Sequence, residues 1–300
     1  MTVTGAANVE ISFREGLTDA ERRYAQRSVA AFVEHSLAEA ARARAAEAAL
    51  TELADTLNGP LRRLVEDDAA AVEAAGRLRT EHVLRPRATD ELQGDAEAAE
   101  LFAPRPPANA RSLDFFPPYD FVWSWHDGAG HPPHGQILSW RTGAVGLDAR
   151  SGSLADGAPG LVAAHAGVGV VLPSTNPGKL KYPHAVLDPG RYSYAVKTVG
   201  LGGNATSEGG FDLAVFENGR FLVNAFSQLW RARISGNEER TGGDGPRPMT
   251  GPDVQFFMNP GAVYTFHAGI WVVTDRSTGL GAAAAQSLLQ GTVNRMWMFG

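Results

Sequence analysis

The chain contains no cysteine among its 300 residues. Disulfide bonds, thiolate metal sites and thiol catalysis are therefore excluded, whichever compartment holds the protein. The stability of the fold must come from packing. An apolar content of 44% with 20% charged residues supplies enough apolar material for a sizeable core.

Concentrated positive charge is also missing. The formal net charge is −6 at pH 7, and the arginines before residue 112 alternate with glutamates. A surface that binds nucleic acid usually shows a basic patch or stripe. The sequence therefore predicts no nucleic-acid partner, and a solvated helical face explains these charges better.

Long apolar runs are absent as well. No stretch reaches the roughly 18 to 20 apolar residues that a membrane-spanning helix needs, so no membrane span is expected. The N-terminal residues also lack the basic segment and apolar run of a secretory signal. A cytoplasmic location is the default expectation, and export without a cleaved signal is the alternative.

The first third of the chain has the pattern of two long helices. Thr18 and Glu21 have the spacing of a capping box, which predicts a helix that begins here and runs to about Leu57. The Asn-Gly-Pro sequence at 58–60 predicts its end and the start of a second helix, which would reach Leu84. Together the two would form a long helical hairpin.

This helical hairpin is predicted to need a partner. Each helix has one narrow apolar stripe, which is thin in large residues between Ala38 and Ala49, so the pair buries little surface. The helices could lie on the rest of the same chain, join several copies in an oligomeric bundle or coiled coil, or bind another protein. A homo-oligomer or a protein partner is therefore expected.

A proline-rich segment at 103–118 marks a domain boundary. Its prolines stiffen the chain towards polyproline geometry, and clear helical patterning ends before it. The predicted organisation is a helical oligomerisation or docking region at 1–102, this linker, and a β-domain at 119–300. The predicted fold class is α+β in two segregated parts: a long N-terminal helical hairpin and a C-terminal antiparallel β-sandwich, similar to a jelly roll.

The clearest β-signal is a hairpin with Asn-Gly at 218–219, the preferred dipeptide of a two-residue type I′ turn. This turn sets Glu217 opposite Arg220 and Phe216 opposite Phe221. Both faces of the hairpin are apolar. It is therefore expected to be covered on two sides, by a second sheet and by helices or a neighbouring subunit.

Two further turns share a sequence pattern. Asp-Pro-Gly at 188–190 and Asn-Pro-Gly at 259–261 each precede alternating aromatic residues. Proline followed by glycine suits the middle of a type II turn, so each is expected to launch a strand. With the other apolar segments they give about eight to ten strands, the spacing of an antiparallel sandwich.

One aromatic-rich segment holds the main candidates for chemistry. His126, His131 and His134 are the only cluster of potential metal ligands in the sequence, and with Asp120 or Asp127 as support they would suit a metal-dependent hydrolase. Two prolines hold the α-carbons of His131 and His134 roughly 9 Å apart in polyproline geometry, which makes shared ligation unfavourable. The competing interpretation is a polar loop between two strands.

The same segment raises a second possibility. Tyr119, Phe121, Trp123 and Trp125 alternate along the chain, so they are expected to share one strand face. That face would be core in the simplest interpretation. The alternative is a carbohydrate-binding module that uses exposed rings of Trp123 and Trp125.

No other catalytic motif is present. The Gly-Lys pair at 178–179 lacks the earlier glycine and the following Ser or Thr of a phosphate loop, and no nucleophile elbow or zinc-protease helix occurs. No cofactor is expected apart from the divalent metal considered above. Triads assembled from distant residues leave no local motif, so an enzyme stays an alternative. The favoured hypothesis is a non-enzymatic structural or binding protein that self-assembles or docks through its helical region and presents a β-sandwich.

Overall fold

The computed structural model describes residues 8–39, 42, 63, 67–81, 112–127, 133–152, 160–175, 177–201, 203–277 and 280–300. Within these ranges, helix α1 covers 19–39 and helix α2 covers Ala69–Glu81. Thirteen strands make up most of the remainder: β1 Asn8–Phe13, β2 Ser112–Phe115, β3 Phe121–Asp127, β4 Gly135–Leu138, β5 Ala144–Gly152, β6 Leu161–Pro173, β7 Leu180–Leu201, β8 Asn204–Glu217, β9 Arg220–Ser235, β10 Glu238–Thr250, β11 Phe256–Phe257, β12 Val263–Ser277 and β13 Leu280–Phe299.

The strands form two antiparallel sheets. The first sheet has the order β1-β3-β6-β12-β8-β9, and the second has the order β10-β7-β13-β5-β4. In addition, β2 pairs with β13 and β11 pairs with β7. The main core lies between the two sheets, where Leu213 and Val215 of the first sheet share one buried apolar cluster with Leu187 and Leu289 of the second. The described strands therefore form a sandwich.

Helix α1 packs on the outer face of the first sheet. Its start is the capping box expected from the sequence: the Thr18 backbone N–H donates to Glu21 Oε2 at 2.8 Å, and the Glu21 N–H donates to Thr18 Oγ1 at 3.3 Å. The hydrogen bonds from Thr18 also lower the pKa of the Glu21 carboxyl. Further along, Val29 and Phe32 are buried against the aromatic residues of β3. The capping-box prediction is confirmed.

The predicted fold class was wrong. The N-terminal region is no separate helical hairpin or coiled coil, because β1 pairs with β3 and α1 packs on the first sheet. Helix α2 lies against β7 and β13 of the second sheet, so the two described helices contact different sheets of one sandwich. The narrow apolar stripe of α1 packs against a face of the first sheet and not against another described helix. The predicted turn at 58–60 and the end at Leu84 lie outside the described residues.

The proline-rich linker is described only in its second half. Residues 103–111 lie outside the described ranges, and Ser112–Phe115 forms β2 on the edge of β13. None of the helices in the described ranges is long and apolar enough to cross a membrane. Within the predicted linker, Ser112–Phe115 thus belongs to the second sheet.

The predicted hairpin is confirmed. Asn218 and Gly219 have φ values of 52° and 77°, as a type I′ turn requires, and the two predicted cross-strand pairs are present. A bulge beyond Phe216 then brings Val223 opposite Val215 and turns it towards the main core, not towards the face that Phe216 shares with α1. As expected, the second sheet covers one side of this hairpin and a helix covers the other.

The two proline-glycine turns have different outcomes. The residues at 259–261 form a turn just before β12, with Gly261 at a φ of 72°, which agrees with the prediction. The residues at 188–190 launch no strand, because they lie inside the 22-residue strand β7. Irregular register between β7 and both of its neighbours, β10 and β13, absorbs this sequence without a chain reversal.

Glycine residues in β6 make room for aromatic rings on the outer face of the first sheet. Phe121 lies opposite Gly169, and a Cβ atom on that glycine would come within 2.2 Å of the Phe121 ring. Trp123 lies opposite Gly167 in the same way. The two rings therefore pass directly over these glycines, underneath α1.

We expect Gly169→Val to lower the free energy of unfolding by about 1 to 3 kcal/mol or more, because the added side chain overlaps a buried ring. Chemical denaturation followed by circular dichroism measures this change. The matched control is Gly160→Val, since a Cβ there meets nothing within 4 Å. Equal stability of the two variants would contradict the close approach of Phe121 to β6.

Candidate functional site

The structure does not bring the three candidate histidines together as a described cluster. His126 lies near the end of β3, opposite Asn8 and Ala164, and His134 is exposed just before β4. His131 lies outside the described residues. In the part of the chain that the structure describes, no group of three His, Cys, Asp or Glu side chains is arranged to hold a metal ion. The metal site stays a prediction.

The two aspartates proposed as support have other surroundings. Asp120 accepts a hydrogen bond from the Val171 N–H at 2.8 Å and pairs with Arg14 at 2.8 Å, although burial raises the pKa of its carboxyl. It therefore ties the segment after β1 to β6. Asp127 is buried at the end of β3, and alternation places it on the face of the strand opposite to His126.

Trp123 and Trp125 lie in the core. Their exposed fractions are 0% and 2%, because α1 covers them. The Phe32 ring contacts Trp123 edge-on with centroids 5.1 Å apart, and His165 stacks on Trp125 at 4.6 Å. A carbohydrate platform needs exposed ring faces, so this arrangement gives that hypothesis no support.

Tyr119 departs from the predicted shared face. It precedes β3, packs into the main core between the sheets, and donates its hydroxyl to the Val293 carbonyl at 3.0 Å. Phe121 and the two tryptophans pack on the other side of the sheet, under α1. The alternation therefore holds only within the strand itself.

A buried Ser–His contact joins α1 to the first sheet. Ser28 Oγ lies 2.9 Å from His267 Nε2 and 2.8 Å from the Ala25 carbonyl oxygen. A serine hydroxyl has one proton, and Ala25 can only accept it, so the Nε2–H of His267 donates to Ser28. Burial lowers the pKa of His267 to about 3, so the imidazole is neutral near pH 7. This contact is a structural link.

The residue types of a Ser-His-Asp triad do occur under α1, but they are not connected as one. Asp212 lies near His165, with Nδ1 and Oδ2 3.7 Å apart, while His267 is the partner of Ser28. Ser28 and His267 are almost fully buried, so no substrate reaches the hydroxyl. A working triad needs an accessible nucleophile and an aspartate bonded to the same histidine. These groups hold the helix on the sheet.

The most unusual surface is an aromatic patch at one end of the outer face of the second sheet. Three of its rings are exposed: Phe116 by 57%, Tyr182 by 41% and Phe257 by 64%. Pairing of β2, β13, β7 and β11 brings them onto one face. We define the aromatic patch as these three residues with the rings that lie among them: Phe116, Tyr182, His184, Phe257, Trp297 and Phe299.

The rings of the aromatic patch are ordered by stacking and by one arginine. His184 stacks on Trp297 with centroids 5.4 Å apart, and it contacts Phe299 edge-on at 5.3 Å. Arg295 lies over Trp297 at 4.8 Å and over Phe116 at 5.8 Å. Cation–π contacts of this kind hold the aromatic faces in place. These contacts fix how the rings are arranged relative to one another.

Charged groups lie both within and beside the aromatic patch. The Arg295 guanidinium pairs with Asp114, the cross-strand neighbour of Trp297. Burial acts against ionisation of Asp114, but hydrogen bonds from Ser112 and Arg295 outweigh it and lower the pKa of the carboxyl. Burial lowers the pKa of His184 although the nearby Asp253 opposes the shift. One ion pair therefore lies among the rings near Phe116 and Trp297, and Asp253 lies at the rim beside His184.

Sequence reasoning missed this patch. The available signal was the stretch 296–299, where Met296 and Met298 alternate with Trp297 and Phe299, so both faces of the strand are apolar. The same reasoning was applied to the hairpin at 218–219, where it predicted cover on both sides. For the end of β13 the inner face is covered by the first sheet, and the outer face is the aromatic patch.

Two depressions are present on the described surface. One, of about 560 Å³, lies between α1 and the β8–β9 turn and is lined by Tyr24, Arg27 and Glu217 among others. The other, of about 510 Å³, lies beside β7 and β10 around Arg191 and Asp244. Acid–base catalysis would use a histidine or a pair of carboxylates. The residues that line these two depressions include no histidine, and each depression has a single carboxylate.

Comparison with known proteins gives no family for this chain. No protein-family model matches it, and no curated protein matches it. The described surfaces therefore provide the basis for a functional proposal.

Proposed function

We propose that the protein is a non-enzymatic assembly module that binds a second copy of itself through the aromatic patch. The observation behind this proposal is the grouping of Phe116, Tyr182 and Phe257, which are exposed together on one face. A contiguous exposed apolar patch with a polar rim is typical of an interaction site. Tyrosine is also among the residues that contribute most to binding at interfaces, and Tyr182 is 41% exposed.

Charges at the rim favour a second copy as the partner. Asp253 has a side chain that is 96% exposed and lies beside His184, and Lys179 is exposed close to Leu180, the cross-strand neighbour of Phe257. In the proposed dimer a two-fold axis passes through the patch and pairs Lys179 of each copy with the opposite charge of Asp253 on the partner subunit. An interface between identical surfaces needs this self-complementarity.

The helices are less suitable for assembly than the patch. Ala25, Val29, Phe32 and Val33 of α1 are all buried on their own sheet, so this stripe is already occupied. Self-association through the described helix would require α1 to leave the sheet. The proposed contact therefore uses the second sheet, while α1 maintains the sandwich.

The proposal is tested with the double variant Tyr182→Ser/Phe257→Ser. Both side chains are exposed, so we expect the fold and thermal stability to change little. Light scattering coupled to size exclusion should give a dimer for the wild type and a monomer for the variant. The matched control is Leu222→Ser/Phe226→Ser, which removes two exposed apolar side chains of β9 and should remain dimeric. A monomeric wild type, or a variant that stays dimeric, would overturn the proposal.

A further inference from the structure

A second surface lies on one side of the sandwich, at the edges of the two sheets. Among the described strands, β9 is the last strand of the first sheet and β10 is the last strand of the second. They have 16 and 13 residues, and only residues 236–237 separate them, so both edges lie on the same side. Each presents a row of backbone N–H and C=O groups without a neighbouring described strand.

The two edges differ in their ability to accept another strand. β10 contains Pro246 and Pro248, and its register with β7 is irregular in this region. Proline and bulges are features that block pairing at a sheet edge. β9 contains no proline, and its register with β8 is regular from Trp230 to Ser235, beyond the shift at Leu229. This stretch of β9 remains able to pair with another strand.

The charge of β9 defines the kind of strand that would pair with it. Its only charged residues are Arg220, Arg231 and Arg233, and all three are exposed. Arg231 lies 3.5 Å from the partly buried Glu208, and because the arginine side chain itself is 58% exposed, this ion pair stabilises little. Arg231 and Arg233 both lie in the regular stretch of β9.

We propose that β9 is a docking edge for an extended acidic segment of another protein, which adds to the first sheet as an antiparallel strand. Main-chain hydrogen bonds supply the affinity in this mode, and side chains on alternate positions supply the specificity. In the docked segment, two acidic residues that are two positions apart lie opposite Arg231 and Arg233.

Other occupants fit this edge less well. The β9 strand of a second copy would bring further cations and no acidic residue to the edge. A nucleic acid could use the arginines but has no peptide groups to pair with the strand. The inference goes beyond the proposed self-association, because the aromatic patch belongs to the second sheet. It is therefore tested in the Tyr182→Ser/Phe257→Ser variant, which lacks the proposed dimer contact. The result then does not depend on whether the wild type dimerises.

The probe is a fluorescent eight-residue peptide with two aspartates at alternate positions and otherwise β-forming uncharged residues. Fluorescence anisotropy should show binding that weakens with added salt. Arg231→Glu/Arg233→Glu should weaken binding by about tenfold or more, since two favourable cross-strand pairs become repulsive. The control Arg23→Glu, an exposed site on α1, should bind normally.

Backbone pairing is tested separately from charge. Two further peptides of the same sequence carry N-methyl groups on alternate amides, one at the odd positions and the other at the even positions. Because only every second amide of a paired strand faces its neighbour, one of these peptides should lose binding and the other should keep it. Hydrogen exchange should show protection of β9 amides when the unmodified peptide binds. Absence of binding, equal binding of both N-methylated forms, or protection elsewhere overturns the proposal. The proposal is also overturned if the protein forms a dimer in this background and the peptide dissociates it. In that case a second copy of the chain would be the occupant of the edge.

Discussion

Replacing Trp123 with alanine is expected to lower the free energy of unfolding by about 3 to 5 kcal/mol. The ring has no exposed surface, and it fills the space between Phe32 of α1 and Gly167 of β6. Its removal leaves a cavity that the helix and the flat sheet cannot close without losing their other contacts. Urea denaturation monitored by circular dichroism measures the loss.

The matched control for this variant is Phe226→Ala, on the outer face of the same sheet but exposed. Truncation of an exposed side chain should cost less than about 1 kcal/mol. If Trp123→Ala were as harmless as Phe226→Ala, α1 would not be packed on the first sheet in solution. The tryptophan would then be available as a ligand platform, and the carbohydrate hypothesis would regain support.

The protein is expected to lose stability as the pH falls from about 6.5 towards 3, because His267 cannot easily be protonated in the folded state. Burial lowers its pKa from 6.5 to about 3. The unfolded chain therefore binds one more proton than the folded chain within this range. The contribution of neutral His267 to the free energy of unfolding is fully present above pH 6.5. It is lost at about 1.4 kcal/mol per pH unit as the pH falls from 6.5 towards 3.

This pH dependence is tested with His267→Phe, which keeps an aromatic ring beside Phe121 and Phe216 but cannot titrate. Between pH 7 and pH 5, the wild type should lose about 2 kcal/mol more than this variant. The control Phe226→Ala removes an exposed ring that does not titrate and should keep the wild-type slope. Identical slopes for wild type and His267→Phe would show that His267 is accessible to protons.

Local signals in the sequence were reliable where neighbouring residues decide the structure. Thr18 and Glu21 satisfy each other's backbone and side-chain groups within one turn, so their spacing predicts the start of α1. Asn218 and Gly219 both adopt positive φ, which few other residues tolerate, so they predict the turn and its register. These features need no distant contact.

Features that depend on distant strands were not predictable in this way. The stripe on α1 shows that the helix has an apolar face, but not whether a helix or a sheet covers it. Asp-Pro-Gly at 188–190 has the same local preferences as Asn-Pro-Gly at 259–261, yet pairing with β10 and β13 keeps the first one within a strand. Long-range pairing outweighs turn preference there.

The aromatic patch shows the same limit for the candidate site. Phe116, Tyr182, Phe257 and Trp297 are far apart in the sequence, and only the order β2-β13-β7-β11 places them on one face. Alternation indicates that both faces of a strand are apolar. Whether the second face is covered by the same chain depends on the folded structure.

The central claim, assembly through the aromatic patch, is tested most directly by disulfide cross-linking between two single-cysteine variants. Because the chain has no cysteine, Lys179→Cys and Asp253→Cys each introduce a single thiol at the rim and leave the rings of the patch in place. The proposed pairing of Lys179 with Asp253 of the partner subunit brings these two thiols close enough for a disulfide, which requires α-carbons within about 7 Å. When the two variants are mixed under mild oxidation, they should form a covalent dimer on a non-reducing gel, and a mixture of Lys179→Cys with Phe226→Cys should remain monomeric. Absence of the covalent dimer, or equal cross-linking in both mixtures, would contradict the proposed interface.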